Sequence, residues 1–135
     1  MIFHAQRSVG TALVIVMLTS PAAGASAAEN LAAQVKFEAT MARKMGDVCA
    51  GFTFDEAGYA AYLASMAESV GRDTATFTAE VETATDADAL VPYYEAFILR
   101  HGGDLFSNRP AFCKAGAREV DEATGIGRMI KRKGN

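Results

Sequence analysis

Apolar positions recur at helical spacing along most of this chain. From Glu29 to Ala50, Leu31, Val35, Met41, Met45 and Val48 fall near one face, with Cys49 beside it, and Gly51 marks the end. Thr53-Phe54-Asp55-Glu56 reads as a capping box, with the Thr53 hydroxyl on an orphan amide and Glu56 reaching back. The helix it opens carries Tyr59, Tyr62, Leu63, Met66 and Val70 and stops at Gly71. Asp73 or Thr74 caps a third, shorter helix with Phe77 and Val81 inward. Thr85-Asp86-Ala87-Asp88 reads as a break. Pro92 suits the first turn of a fourth helix, with Tyr93, Phe97 and Ile98 apolar and His101-Gly102-Gly103 at its end. Asn108-Arg109-Pro110 opens a last helix with Phe112, Ala117, Val120 and Ala123 on its buried side. Gly125 and Gly127 kink it, and Ile126, Met129 and Ile130 predict that helical packing resumes. No convincing period-two alternation predicts a strand, so the expected fold is all-α: a compact bundle of four to five short helices.

The N-terminal pattern differs in kind. Val9–Leu18 (VGTALVIVML) is an apolar run right for a secretory signal and too short to span a bilayer. The small-residue stretch AAGASAA follows it, and its spacing suits cleavage near Ala27 or Ala28. Residues 1–28 are therefore expected to be a removed signal peptide, and residues 29–135 a single helical domain in the periplasm. No later apolar run is long enough for the membrane, so no stable insertion is expected after cleavage.

Charge narrows the function classes. Residues 29–95 hold four bases and twelve acids, and residues 96–135 hold eight bases and four acids. A dipolar chain of this kind lacks the concentrated basic face of a nucleic-acid binder. Adjacent helices that complement one another account for the asymmetry.

Export changes the reading of the two cysteines, Cys49 and Cys113. In an oxidising compartment they pair. They do not form a CxxC motif. With His101 the only histidine outside the signal, they cannot complete a structural zinc site either. A Cys49–Cys113 bridge spans a separation of 64 residues and, by chain entropy, stabilises by roughly 4 kcal/mol.

The residues capable of chemistry all have plainer roles. Asp55 and Glu56, or Glu80 and Glu82, point in different directions on a helix, whereas acid–base work needs carboxylates converging on one cleft. Asp86-Ala87-Asp88 lacks the central glycine and further oxygens of a calcium loop. Gly125-Ile126-Gly127 does not sit between a strand and a helix start, so close helix packing explains it better than a phosphate cradle. His101 suits the negative end of a helix dipole. No catalytic residue, metal site or cofactor is expected. The most plausible binding surface is Tyr93 and Tyr94, because a regular helix cannot bury both, together with the basic end Arg128, Lys131 and Arg132.

The run Phe112-Cys113-x-x-Gly116-x-x-Glu119, followed by Ile126-Gly127-Arg128 and preceded by a lone cysteine late in the first helix, resembles a family of small exported two-cysteine helical proteins of Rhodobacter-like alphaproteobacteria. The likeness covers mainly residues 41–50 and 110–130 and implies an exported helical domain, with no assigned activity. The expectation for this chain is a periplasmic, non-enzymatic binding protein, an inhibitor, immunity or chaperone-like partner of another envelope protein. A small carboxylate-dependent hydrolase or lyase acting on an envelope polymer is one alternative. A membrane-surface protein held by its basic C-terminal segment is another.

Overall fold

One long helix organises the structure. The computed structural model describes residues 22–134, with side chains from residue 27. The expected signal core, Val9–Leu18, lies outside the described residues. Helix α1 runs Ala22–Val48, followed by β1 (Phe52–Phe54), α2 (Glu56–Ser69), α3 (Thr74–Thr83), α4 (Ala87–His101), α5 (Arg109–Asp121), the single turn α6 (Gly125–Arg128) and β2 (Ile130–Arg132). The fold is helical, as expected, with a small strand pair added.

Helix α1 packs against α2–α6 and both strands. That central place explains why it is buried over a wide arc. Ala32, Val35, Ala39, Ala42 and Met45 form one buried row, and Phe37 and Met41 widen it. Leu31 and Val48, expected on the inward face, are only half-buried. Alanine dominates the first row because neighbouring helices approach closely there, and it costs least in helix propensity.

The disulfide forms as expected. Cys49, just past α1, bonds Cys113 in α5 across a Cα–Cα distance of 5.5 Å. It is consistent with an extracytoplasmic protein. Among the described residues, no helix is long and apolar enough to cross a membrane.

Four local expectations need correction. Thr53 is not a helix cap: it lies in β1, which pairs antiparallel with β2 in the register Phe52↔Arg132, Thr53↔Lys131, Phe54↔Ile130. Strands of three residues are too short to show alternation, and pairing across the chain creates them. The N-cap position of α2 is Asp55 instead. Pro92 lies inside α4, which already starts at Ala87, because Asp86 accepts a hydrogen bond from the Asp88 amide and caps it. Ala123 is exposed at φ 50°, beyond the end of α5, and Glu119 takes the buried place on that helix. Ile130 continues as strand, not helix, so α6 is one turn only.

Other signals read from the sequence hold. Asp73 accepts from the Thr76 amide at 2.9 Å and caps α3. Asn108 accepts from the Ala111 amide at 3.1 Å and caps α5. Phe77 and Val81 are buried.

Candidate functional site

The polar groups capable of chemistry gather where α1, α2, α4, α5 and α6 meet. Glu119 is the one charged side chain in the core of the described residues. Its Oε1 lies 2.6 Å from His101 Nε2 and 3.6 Å from Arg100 Nε. Its Oε2 accepts a hydrogen bond from the Thr124 hydroxyl. His101 also meets the Phe97 ring edge-on, at 4.7 Å between centroids. The histidine expected to sit at a helix end as a simple dipole partner is thus buried against a carboxylate from α5.

A second carboxylate stands across a small cavity. Glu38, on α1, accepts from Gln34 Nε2 at 3.0 Å and from the Tyr62 hydroxyl at 2.7 Å. Burial raises its pKa, the nearby Glu119 carboxylate adds to the rise, and the two hydrogen bonds and Arg128 oppose it. Tyr62 is pushed up as well, first by burial and then by its bond to Glu38. The cavity holds about 180 Å³, with Glu38 and Glu119 among its polar walls and Phe37, Phe97 and Ile126 among its apolar ones.

The two glycines of the Gly-Ile-Gly turn shape this region. A Cβ on Gly125 would collide with the Glu38 carboxylate and the Tyr62 hydroxyl. A Cβ on Gly127 would collide with the Glu119 backbone carbonyl. Close packing, expected from the sequence, is what these glycines serve. Thr124 caps the turn by accepting from the Gly127 amide at 3.1 Å.

This arrangement holds two carboxylates near each other, and one has a raised proton affinity. Acid–base chemistry requires that pattern. It also requires a free oxygen aimed at a substrate. Here all four carboxylate oxygens have partners within the protein: Gln34 and Tyr62 on Glu38, His101, Arg100 and Thr124 on Glu119. A satisfied buried network of this kind braces helices. Glu119 stands seven residues after Phe112, on the same face of α5, but an acid there gives no sign of its partner until α4 brings His101 over it.

The residues expected to form a binding surface fall in two places. Tyr93 and Tyr94 both flank Phe37, the first roughly parallel to it at 6.2 Å and the second edge-on at 4.7 Å. Tyr93 also donates to the Asn30 carbonyl at 3.0 Å. Both are half-buried. Arg128, Lys131 and Arg132 lie in α6 and β2. Lys131 pairs with Asp55 at 3.0 Å, Arg132 pairs with Asp121 at 2.8 Å, and Arg128 donates to the Ala123 carbonyl at 3.3 Å. The Asp55 carboxylate, turned toward the Gly58 amide and Lys131, has a lowered pKa. These contacts tie the strand pair to α2 and α5.

The surface signal missed in the sequence is on α4. Leu99 is 87% exposed and Val91 45%, and Phe106, just beyond the helix, is 41% exposed. Val91, Ile98 and Leu99 are spaced i, i+7, i+8, which places them on one outward arc. Tyr94 connects this arc to Phe106, at 6.1 Å between ring centroids. The spacing was available in the sequence, but periodicity alone does not say that another apolar face of the same helix, through Tyr93 and Phe97, takes the core.

Elsewhere, a groove of about 520 Å³ between α1, α3 and α4 has Glu29, Glu80 and Asp86 in its walls. Among the described residues, no cluster of three or more His, Cys, Asp or Glu side chains is placed to hold a metal ion. Comparison with protein-family models, curated proteins and solved structures found no match.

Proposed function

We propose that this protein is a non-enzymatic binding protein of the periplasm, an inhibitor, immunity or chaperone-like partner of another envelope protein. The observation that carries the reading is the apolar outward face of α4. Scattered exposed apolar side chains are ordinary, but exposed Val91 and Leu99 and half-buried Ile98 lie along one side of one helix, and Tyr94 links that side to exposed Phe106 beyond the helix end. Helix faces of this spacing dock into partner grooves through i, i+4, i+7 anchors. Tyr94, half-buried at the edge of the patch, supplies the aromatic type enriched at such contacts.

The test is crosslinking and capture from the periplasm, with Leu99→Asp as the control. One dominant partner that is retained by the natural chain and lost from the variant is the expected result. A partner set unaffected by Leu99→Asp would refute docking through α4.

A second reading, a carboxylate-dependent hydrolase or lyase, draws support from the raised proton affinity of Glu38 beside Glu119. The internal hydrogen bonds of both carboxylates weigh against it. If hydrolysis of an envelope polymer is found and Glu38→Gln abolishes it while the fold is retained, that reading displaces the first. The membrane-surface reading draws less support, since Lys131 and Arg132 are already engaged with Asp55 and Asp121.

A further inference from the structure

We propose that the cleft between the end of α1 and the start of α5 anchors the C-terminal carboxylate of a partner peptide whose last side chain is large and apolar. The cleft has Val48, Phe106 and Phe112 as its apolar surface and Lys44, Ser107 and Arg109 around it, with a volume of about 200 Å³. No acid lines it.

Two cations, Lys44 and Arg109, stand together at this cleft. Arg43, Arg72, Arg100, Arg118, Lys131 and Arg132 each have a carboxylate partner. Among the described residues Lys44 and Arg109 form no ion pair, which is also true of Lys36, Lys114, Arg128 and Lys133, but Lys44 and Arg109 flank one apolar cleft together. Both nonetheless have a set position. The Lys44 ammonium stands 5.6 Å from the Phe106 ring centre and 5.9 Å from that of Phe112. The Arg109 Nε donates to the Val48 carbonyl at 2.6 Å, which holds the guanidinium beside the cleft. Arg109 is also the first residue of α5, where the helix dipole adds positive potential. On a chain of net charge −3, two positioned and unpaired cations around an apolar surface call for an anion with an apolar body.

The size and position of the cleft select among such anions. Its volume is below the ~300–1,000 Å³ typical of sites for drug-sized ligands, so it suits one side chain and its carboxylate better than a lipid chain. A guanidinium presents donors in the planar fork that a carboxylate matches. Phe106 belongs both to the cleft and, through Tyr94, to the α4 face, so a peptide seated here leads onto that face. The assignment therefore rests on the protein-binding reading and specifies how a partner's end would be held.

The experiment is an NMR-monitored titration of the disulfide-bonded protein with three probes: a blocked tripeptide ending in phenylalanine with a free carboxylate, the same tripeptide as its amide, and octanoate. Saturable shifts at Val48, Phe106 and Phe112 with the free acid are expected, with binding weaker by about tenfold or more for the amide. Lys44→Glu is expected to weaken the acid by a similar factor, and its unchanged melting curve checks the fold. Equal binding of acid and amide, tighter binding of octanoate, or no binding of the acid at millimolar concentration overturns the assignment. If the acid fails to bind while Leu99-dependent capture persists, the cleft assignment falls and the α4 reading stands. If the acid binds and no such capture is found, the reverse holds.

Discussion

His101 Nε2 lies 2.6 Å from Glu119 Oε1, and both side chains are 3% exposed. This contact joins the last residue of α4 to the last turn of α5, and Thr124 and Arg100 complete the partners of the same carboxylate. Removing the carboxylate leaves His101 and Thr124 buried without it. Leaving a buried polar group without its hydrogen-bond partner costs about 1–3 kcal/mol, so Glu119→Ala should lower stability on that scale, and Glu119→Gln by less. Urea denaturation measures it. Equal midpoints for the natural chain and Glu119→Ala would show that the contact is not a brace.

Glu38 sets a direction for pH dependence. Its folded pKa lies above the ordinary value, so the folded state holds a proton that the unfolded state has released. Its stabilising contribution is complete below the unfolded pKa and is lost as pH rises through the folded one. Between the ordinary carboxylate range and neutrality, the natural chain should therefore lose stability that Glu38→Gln keeps. Asp55, with its lowered pKa, acts in the opposite sense and at lower pH, so the comparison belongs above pH ~5, where an ordinary aspartate has ionised. Denaturation midpoints that fall in parallel for both chains over this window would remove Glu38 as the cause.

The Cys49–Cys113 bridge closes a sequence separation of 64 residues. Opening it with Cys49→Ser or Cys113→Ser should cost roughly 4 kcal/mol. For a domain of this size the melting temperature should drop by more than about 10 °C. Calorimetry under non-reducing conditions checks this, and a melting curve unchanged by either substitution contradicts it.

Gly127→Ala should destabilise the fold through collision with the Glu119 carbonyl, which is backbone and cannot swing away. The scale for overpacking is about 1–3 kcal/mol. Gly103→Ala is the matched control, because nothing lies near its added Cβ. Thermal melts of the two variants should differ clearly, and similar melts would contradict close packing at the Gly-Ile-Gly turn.

Leu99→Asp should leave stability within about 0.5 kcal/mol, since the side chain it replaces is almost wholly in solvent. Equilibrium unfolding checks it. A large loss would mean that Leu99 supports the fold, and its effect on partner capture would then say nothing about α4 as a surface.

Local signals were legible in the order of residues. Helical spacing, the Asp73 and Asn108 caps, and the terminating glycines describe interactions within a few positions of one another, which is why the helices were readable. The disulfide was readable for a different reason: two cysteines admit one pairing within the chain. What remained hidden depends on contacts between distant segments. Phe52–Phe54 becomes a strand only when residues 130–132 supply its hydrogen-bond partner, and Asp55 takes the N-cap position that Thr53 seemed to fill. Pro92 reads as a helix start by its own chemistry, yet Asp86 caps earlier and the packed turns continue through the proline.

The sequence by itself determined a helical chain with one possible staple and no recognisable catalytic motif. Only the tertiary structure decided that Glu119 is buried with His101, that Glu38 faces it across a cavity, and that one face of α4 remains outside. A carboxylate's burial and proton affinity depend on what neighbouring helices bring to it, and a helix with apolar residues on two faces does not specify by its own period which face the core will take.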